Sequence, residues 1–165
     1  LKDPEGRTTV AEFFKAEKLR LFPVGRLDWD SEGLLIMTND GDLSQQILHP
    51  KFEIPKTYLV KLSDHPTEKD LEKLRKGVSI VGGKASVDHV ELLENRGKGR
   101  HPWLKIVISE GRNRQIRRMI EKIGLDTLKL QRVAIGALSI GPLKRGQYRE
   151  LSLKDIKKIF KKFPH

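Results

Sequence analysis

Two short segments carry the side chains able to do chemistry. Residues 25–42, GRLDWDSEGLLIMTNDGD, set Arg26 two positions before Asp28 at the mouth of an apolar run. Residues 110–119, EGRNRQIRRM, gather Arg112, Arg114, Arg117 and Arg118 within a few residues. A carboxylate near arginine is held ionised, so Asp28 reads as a nucleophile able to attack carbon and as a poor general acid. Its place in a loop just before a buried strand favours function, because a rigid scaffold there fixes a loop side chain. Asp30, on the other side of Trp29, reads as an organiser of the turn.

The arginines belong to a helix that Asn113 can cap and that runs to about Ile123, with Gly124 just beyond it. Ile116, Met119, Ile120 and Ile123 share one face, and Arg114, Arg117 and Arg118 lie on or beside the opposite one. Like charges at this spacing repel by a few tenths of a kcal/mol per pair, roughly what an anionic partner would repay; a solvated basic face is the plainer alternative. Arg112 joins the cluster from the turn, and a helix N-terminus itself favours anions.

Composition narrows the partners. The 165 residues hold 33 Lys and Arg against 22 Asp and Glu, a formal net charge of +11, which points to nucleic acid. No apolar run approaches the ~20 residues a bilayer crossing needs, and the opening residues do not form a signal peptide. A soluble, cytoplasmic protein is expected. Cysteine is absent, and the five histidines show no ligand spacing, so neither disulfide nor metal site is expected. The chain starts without methionine in what reads as a loop, so residues upstream are expected.

The elements that must position these groups can be read in order. Thr9 and Glu12 have capping-box spacing for a helix to about Lys18. Residues 33–38 read as one buried strand closed by Asn39-Asp40-Gly41, followed by a helix from Asp42 to Leu48 that Pro50 stops. Residues 57–62 alternate as a strand; Thr67 and Asp70 open a helix that Gly77 closes. Residues 78–81, 85–93, 103–109, 127–135 and 138–140 read as further strands, with a hairpin turn at Gly82-Gly83 and a flexible basic loop over 95–100. A lysine-rich amphipathic helix at about 153–163 ends the chain. With no linker or repeat, the expectation is one α+β domain with a mainly antiparallel mixed sheet and peripheral helices.

Two competing functions follow from the residues alone. Asp28 and Asp30 lie on one face of an extended chain and could form a glycosidase pair, but that chemistry needs one carboxyl group kept protonated and the arginines oppose it. A non-catalytic RNA-binding module would need the positive charge and not Asp28. Tyr58, taken alone, reads as a core tyrosine with a bonded hydroxyl.

GRLDWDSEGLLIMTNDGD, then KTYLVKL at 56–62, then EGRNRQIRRM, in this order, resemble the RsuA-type family of ribosomal RNA pseudouridine synthases. DPEGRTTV at 3–10 and LQRVAIGALSIGPLKRGQYREL at 130–151 extend the likeness over nearly the whole chain. The resemblance implies the pseudouridine synthase fold, with an active-site cleft across the sheet, and isomerisation of a uridine in ribosomal RNA without metal or organic cofactor. It makes Asp28 the catalytic aspartate, attacking C1′ or C6 or assisting glycal formation. Tyr58 becomes the tyrosine that stacks on uracil and takes the C5 proton, Arg117 the basic partner of the aspartate, and Ile116 an apolar pocket wall. Arg26 would fill the gap left by the flipped base, while Arg112, Arg114 and Arg118 would hold phosphates. Family members carry an S4-like RNA-binding domain and a strand ahead of this region. Residues 1–165 are therefore expected to be a catalytic domain, acting as a monomer on ribosomal RNA, with that S4-like part upstream of Leu1 and a sheet edge left open without it.

Overall fold

The computed structural model describes residues 20–93 and 100–161. The expected helix from Thr9 and nearly all of the basic loop fall outside them. In chain order the elements are β1 (Phe22–Val24), β2 (Glu32–Gly33), β3 (Ile36–Thr38), α1 (Gly41–Leu48), a 3₁₀ turn (Pro50–Phe52), β4 (Lys56–Leu62) and α2 (Glu68–Lys76). There follow β5 (Val78–Ile80), β6 (Gly83–Ala85), β7 (His89–Leu93), β8 (Trp103–Ile108), α3 (Gln115–Lys122), β9 (Thr127–Ile135), β10 (Leu138–Ser139) and α4 (Leu153–Ile159). The architecture is α+β.

The main sheet runs β10-β9-β4-β8-β7, antiparallel throughout, and β2 adds to β9 in parallel. On one face Val60, Leu62, Leu104, Ile106, Ile108, Val90 and Leu130 pack against Leu71 and Leu74 of α2 and Ile116, Met119 and Ile120 of α3. The 3.6-residue spacing of the α3 isoleucines is thus spent on the core, as the sequence predicts. A second core joins Val24, Ile36, Ile47, Ile54, Ile135, Leu138 and Ile159, so α1, α4 and the β1–β3 pair cover one end of the sheet.

Local chemistry explains the boundaries. The Thr67 hydroxyl accepts from the Asp70 N–H at 3.0 Å while the Asp70 carboxylate accepts from the Thr67 N–H at 2.9 Å, the reciprocal capping predicted for α2. The hairpin at Gly82-Gly83 forms between β5 and β6. The strand expected over 33–38 is instead broken: β2 pairs with β9, and after Leu34-Leu35 the chain enters a different pairing, β3 with β1. The Leu34–Arg132 hydrogen bonds mark the break, and at Gly33, with φ +115°, the backbone lies so close to β9 that a Cβ would be 2.2 Å from the Arg132 carbonyl oxygen. The strand expected over 85–93 is likewise split, by a turn in which the Val87 N–H donates to the Leu74 carbonyl. Helix α4 stops at Ile159, earlier than expected, where the Lys158 carbonyl takes the Ala137 N–H at 2.8 Å and so binds the helix end to the β9–β10 turn.

Candidate active site

The site is assembled from one turn, one helix start and two strands. The Ser31 N–H donates to the Asp28 carbonyl at 2.9 Å, closing a β-turn with Trp29 and Asp30 at its centre. β2 follows at once, with Gly33 beside Arg132 on β9, and Arg132 in turn opposite Tyr58 on β4. The turn therefore enters the sheet two strand spacings, roughly 10 Å, from the Tyr58 backbone.

The carboxylate gripped by the arginine helix is that of Asp30. Arg114 binds it in bidentate fashion, Nη1 to Oδ1 at 3.0 Å and Nη2 to Oδ2 at 2.9 Å. Arg117 donates from Nη2 to the Asp30 carbonyl at 2.8 Å, sets Nε 3.4 Å from Oδ2, and reaches the Thr127 carbonyl with Nη1. The Arg114 hydrogen bonds hold the Asp30 carboxyl below its ordinary range, assisted by the charge of Arg117 and opposed by partial burial. Reciprocally, Asp30 raises the Arg114 guanidinium, with Asp28 a smaller contributor.

This corrects the expected pairing of Arg117 with Asp28. Among the described residues no ion pair joins Asp28, which lies half-buried. The turn rotates successive side chains apart, so Asp30 meets the helix and Asp28 is left near it with its carboxylate uncommitted. Arg114 and Arg112 are also committed differently from expectation. Arg112 donates to the Gly83 and Lys84 carbonyls at 3.0 and 2.9 Å and pairs with Glu110. It ties the 110–114 turn to the β5–β6 hairpin. Arg118 is half-buried and Arg26 exposed, and neither makes a side-chain hydrogen bond or ion pair among the described residues.

Asn113 is exposed and does not cap α3; Arg114 occupies that position with φ +53°. A left-handed arginine is strained, and here the strain accompanies the double grip on Asp30. No side chain caps α3; Gln115, only 3% exposed, braces the preceding turn by accepting from the Arg112 N–H and donating to Glu110. Next along the helix, Ile116 is 4% exposed and belongs to the core cluster against which Tyr58 packs. The Tyr58 hydroxyl has no hydrogen-bond partner among the described residues.

Two cations near Tyr58 escaped sequence reasoning. Arg132 is 5% exposed, donates from Nε to the Leu34 carbonyl at 2.9 Å, and leaves Nη2 buried without a partner. Lys56 lies on the Tyr58 face of β4; burial and then the Arg132 charge push its ammonium down. The signal was an arginine two positions from Leu130 and from Ala134, on the inward face of an alternating strand. Among the described residues, no three His, Asp or Glu side chains lie close enough to hold a metal ion, and no helix is long and apolar enough to cross a membrane.

A half-buried carboxylate, a phenol, an apolar wall and a surrounding excess of arginine suit attack on an electrophilic carbon in an anionic substrate. The class is settled by similarity: residues 2–122 match the family model for RNA pseudouridylate synthase, and the chain belongs to that family. Among its relatives, the ribosomal large subunit pseudouridine synthase B of Bacillus subtilis (strain 168) is 40% identical over 96% of this chain and 65% of its own length. The ribosomal large subunit pseudouridine synthase E of Vibrio parahaemolyticus is 42% identical over 92% of this chain and 68% of its own length. The chain thus spans about two thirds of these curated relatives, slightly less for the Bacillus protein. A crystal structure of a pseudouridylate synthase superposes with a TM-score of 0.77 at 34% identity, covering 92% of this chain and 65% of the other. The archaeal box H/ACA Nop10–Cbf5 complex, at 21% identity and a TM-score of 0.57, shares the fold.

Proposed function

We propose that this chain isomerises a uridine of ribosomal RNA to pseudouridine, with residues 1–165 forming the catalytic domain and acting as a monomer in the cytoplasm. The observation that carries the reading is the uncommitted Asp28 carboxylate, on a turn fastened by Arg114 and Arg117 and leading into β2, which β9 separates from the strand of Tyr58. Its relatives' names supply the substrate class.

In this reading the target nucleotide leaves its stack at a cost of a few kcal/mol and Arg26 occupies the gap. Asp28 acts as the carboxylate that breaks the N1–C1′ bond, by attack at C1′ or C6 or by assisting glycal formation. The freed uracil turns between Tyr58 and Ile116, C5 bonds to C1′, the C5 proton leaves to the Tyr58 side, and N1 gains a proton. No electron is gained or lost, so the chemistry requires no redox cofactor. Arg114 and Arg117 act as positioning residues through Asp30, and Arg112 through the hairpin; Arg118 is the phosphate contact of the cluster.

Tritium release from large-subunit ribosomal RNA labelled at uridine C5 tests the reading. Asp28→Asn should lower the release rate on the order of 10³-fold or more while melting temperature and RNA affinity stay unchanged. Undiminished release by that variant would remove Asp28 from the mechanism. RNA binding by the wild type without any release would favour the non-catalytic module.

A further inference from the structure

Trp29 is 71% exposed, in a molecule whose other tryptophan, Trp103, is half-buried on β8. Tryptophan is usually well buried, and this much exposed indole on a fixed surface indicates a binding role. The surface is indeed fixed: Trp29 and Asp30 are the central residues of the turn, and Asp30 is held by four contacts from Arg114 and Arg117. An aromatic ring carried on a mobile loop would lose entropy on binding. The turn that carries this one is already fixed.

Its neighbourhood selects the partner. Asp28 precedes it, Arg26 stands exposed three positions before, and Arg118 lies unpaired among the described residues on the adjoining helix. Asp30 is neutralised by its two arginines, and Arg26 and Arg118 add positive charge on the segment and the helix that carry and hold the turn. An exposed flat ring on a turn held by an arginine-rich helix fits an unpaired nucleobase on a phosphate chain.

We propose that Trp29 is a stacking platform for an unpaired base of the substrate RNA, one of the immediate neighbours of the nucleotide presented to Asp28. Consecutive Cα atoms lie about 3.8 Å apart, so a base on Trp29 cannot be remote from the target. The inference rests on the proposed function and adds a substrate contact to it: Trp29 selects substrates whose target uridine is flanked by a base free to stack, which is available in loops and not in continuous duplex.

Trp29 reports on itself. Titration of the chain with in-vitro-transcribed, unmodified large-subunit ribosomal RNA should quench tryptophan emission, and Trp29→Phe should remove most of that quenching. In tritium-release kinetics Trp29→Ala should raise KM about tenfold, equivalent to ~1.4 kcal/mol, with kcat within about twofold. Trp29→Phe should recover most of the loss, whereas Trp29→Leu, apolar but not planar, should not. Leucine performing as well as tryptophan would overturn stacking. So would quenching that persists in Trp29→Phe, or an emission maximum already buried-like without RNA and unmoved by it, which would mean that protein covers the ring. Quenching is read from binding and not turnover, so wild-type protein that quenches on RNA but releases no tritium would sink the enzymatic reading while leaving the stacking contact intact.

Discussion

At Asp30 the side chain does structural work that its neighbour two positions earlier is spared. Its carboxyl titrates below the ordinary value of 3.8 in the folded chain, chiefly through the Arg114 hydrogen bonds. A depressed carboxyl contributes stability in full above its unfolded value, and that contribution disappears as pH falls through the lower folded one. With a fifth of the side chain exposed, solvent screening keeps the contribution modest. Asp30→Asn should therefore destabilise the fold by about 1–2 kcal/mol at neutral pH. Thermal melts should show the gap between variant and wild type closing on the acid side of 3.8. Tyr58 poses the opposite case, because its ring packs on the core while its hydroxyl bonds to no described residue. Tyr58→Phe should leave the melting temperature within a degree or two, since no bond is lost. Turnover, followed by tritium release, should fall on the order of 10²-fold, the usual contribution of a positioned proton acceptor.

Among the elements, β2 is only two residues long and the most consequential. It holds Glu32 and Gly33 against β9, and the Leu34 N–H to Arg132 carbonyl bond of 2.7 Å and the Arg132 Nε to Leu34 carbonyl bond lock the crossing. A methyl group at Gly33 would meet backbone atoms of Arg132 at 2.2 and 2.6 Å in a conformation L-residues avoid. Gly33→Ala should cost about 2–4 kcal/mol and, by moving the Asp28 turn off β9, lower turnover more than stability alone explains. Denaturant melts together with tritium release at a temperature where the variant is folded would separate the two effects. The elements themselves were largely legible in the sequence, because their causes are local: the Thr67–Asp70 box, the Gly82-Gly83 hairpin, the alternation of β4 and the apolar spacing of α3. What escaped was non-local. The Arg114–Asp30 pair spans 84 positions, and no spacing rule tells which of two aspartates faces a distant helix. The breaks at 34–35 and 86–88 arise from hydrogen bonds to Arg132 and Leu74, invisible to any window along the chain. Asn113 had the right chemistry for a cap, but the backbone turned left-handed at Arg114 to reach the loop.

Over the whole molecule, a charge of +11 does not translate into eleven phosphate contacts. Many of its cations are spent internally: Arg112 on the hairpin, Arg114 and Arg117 on Asp30, Arg132 on Leu34, Arg75 on Glu68 and Glu72, and Arg149 on Asp155. Basic composition thus serves both to build the site and to meet the substrate, and only the second use is sensitive to counterions. RNA affinity falls linearly with salt on logarithmic axes, each neutralised phosphate contributing about 0.7–0.9 to the slope. Arg118→Ala should therefore weaken binding to large-subunit ribosomal RNA and reduce the slope by nearly one, with stability unchanged. Arg114→Ala should do the reverse, lowering the melting temperature through the lost bidentate pair while leaving the slope of the folded protein where it was. Filter binding over a series of salt concentrations, paired with thermal melts of both variants, makes the comparison. A reduced slope in Arg114→Ala would mean that its bond to Asp30 is exchanged for a phosphate when RNA arrives, and that the turn bearing Asp28 is released, not held, by substrate.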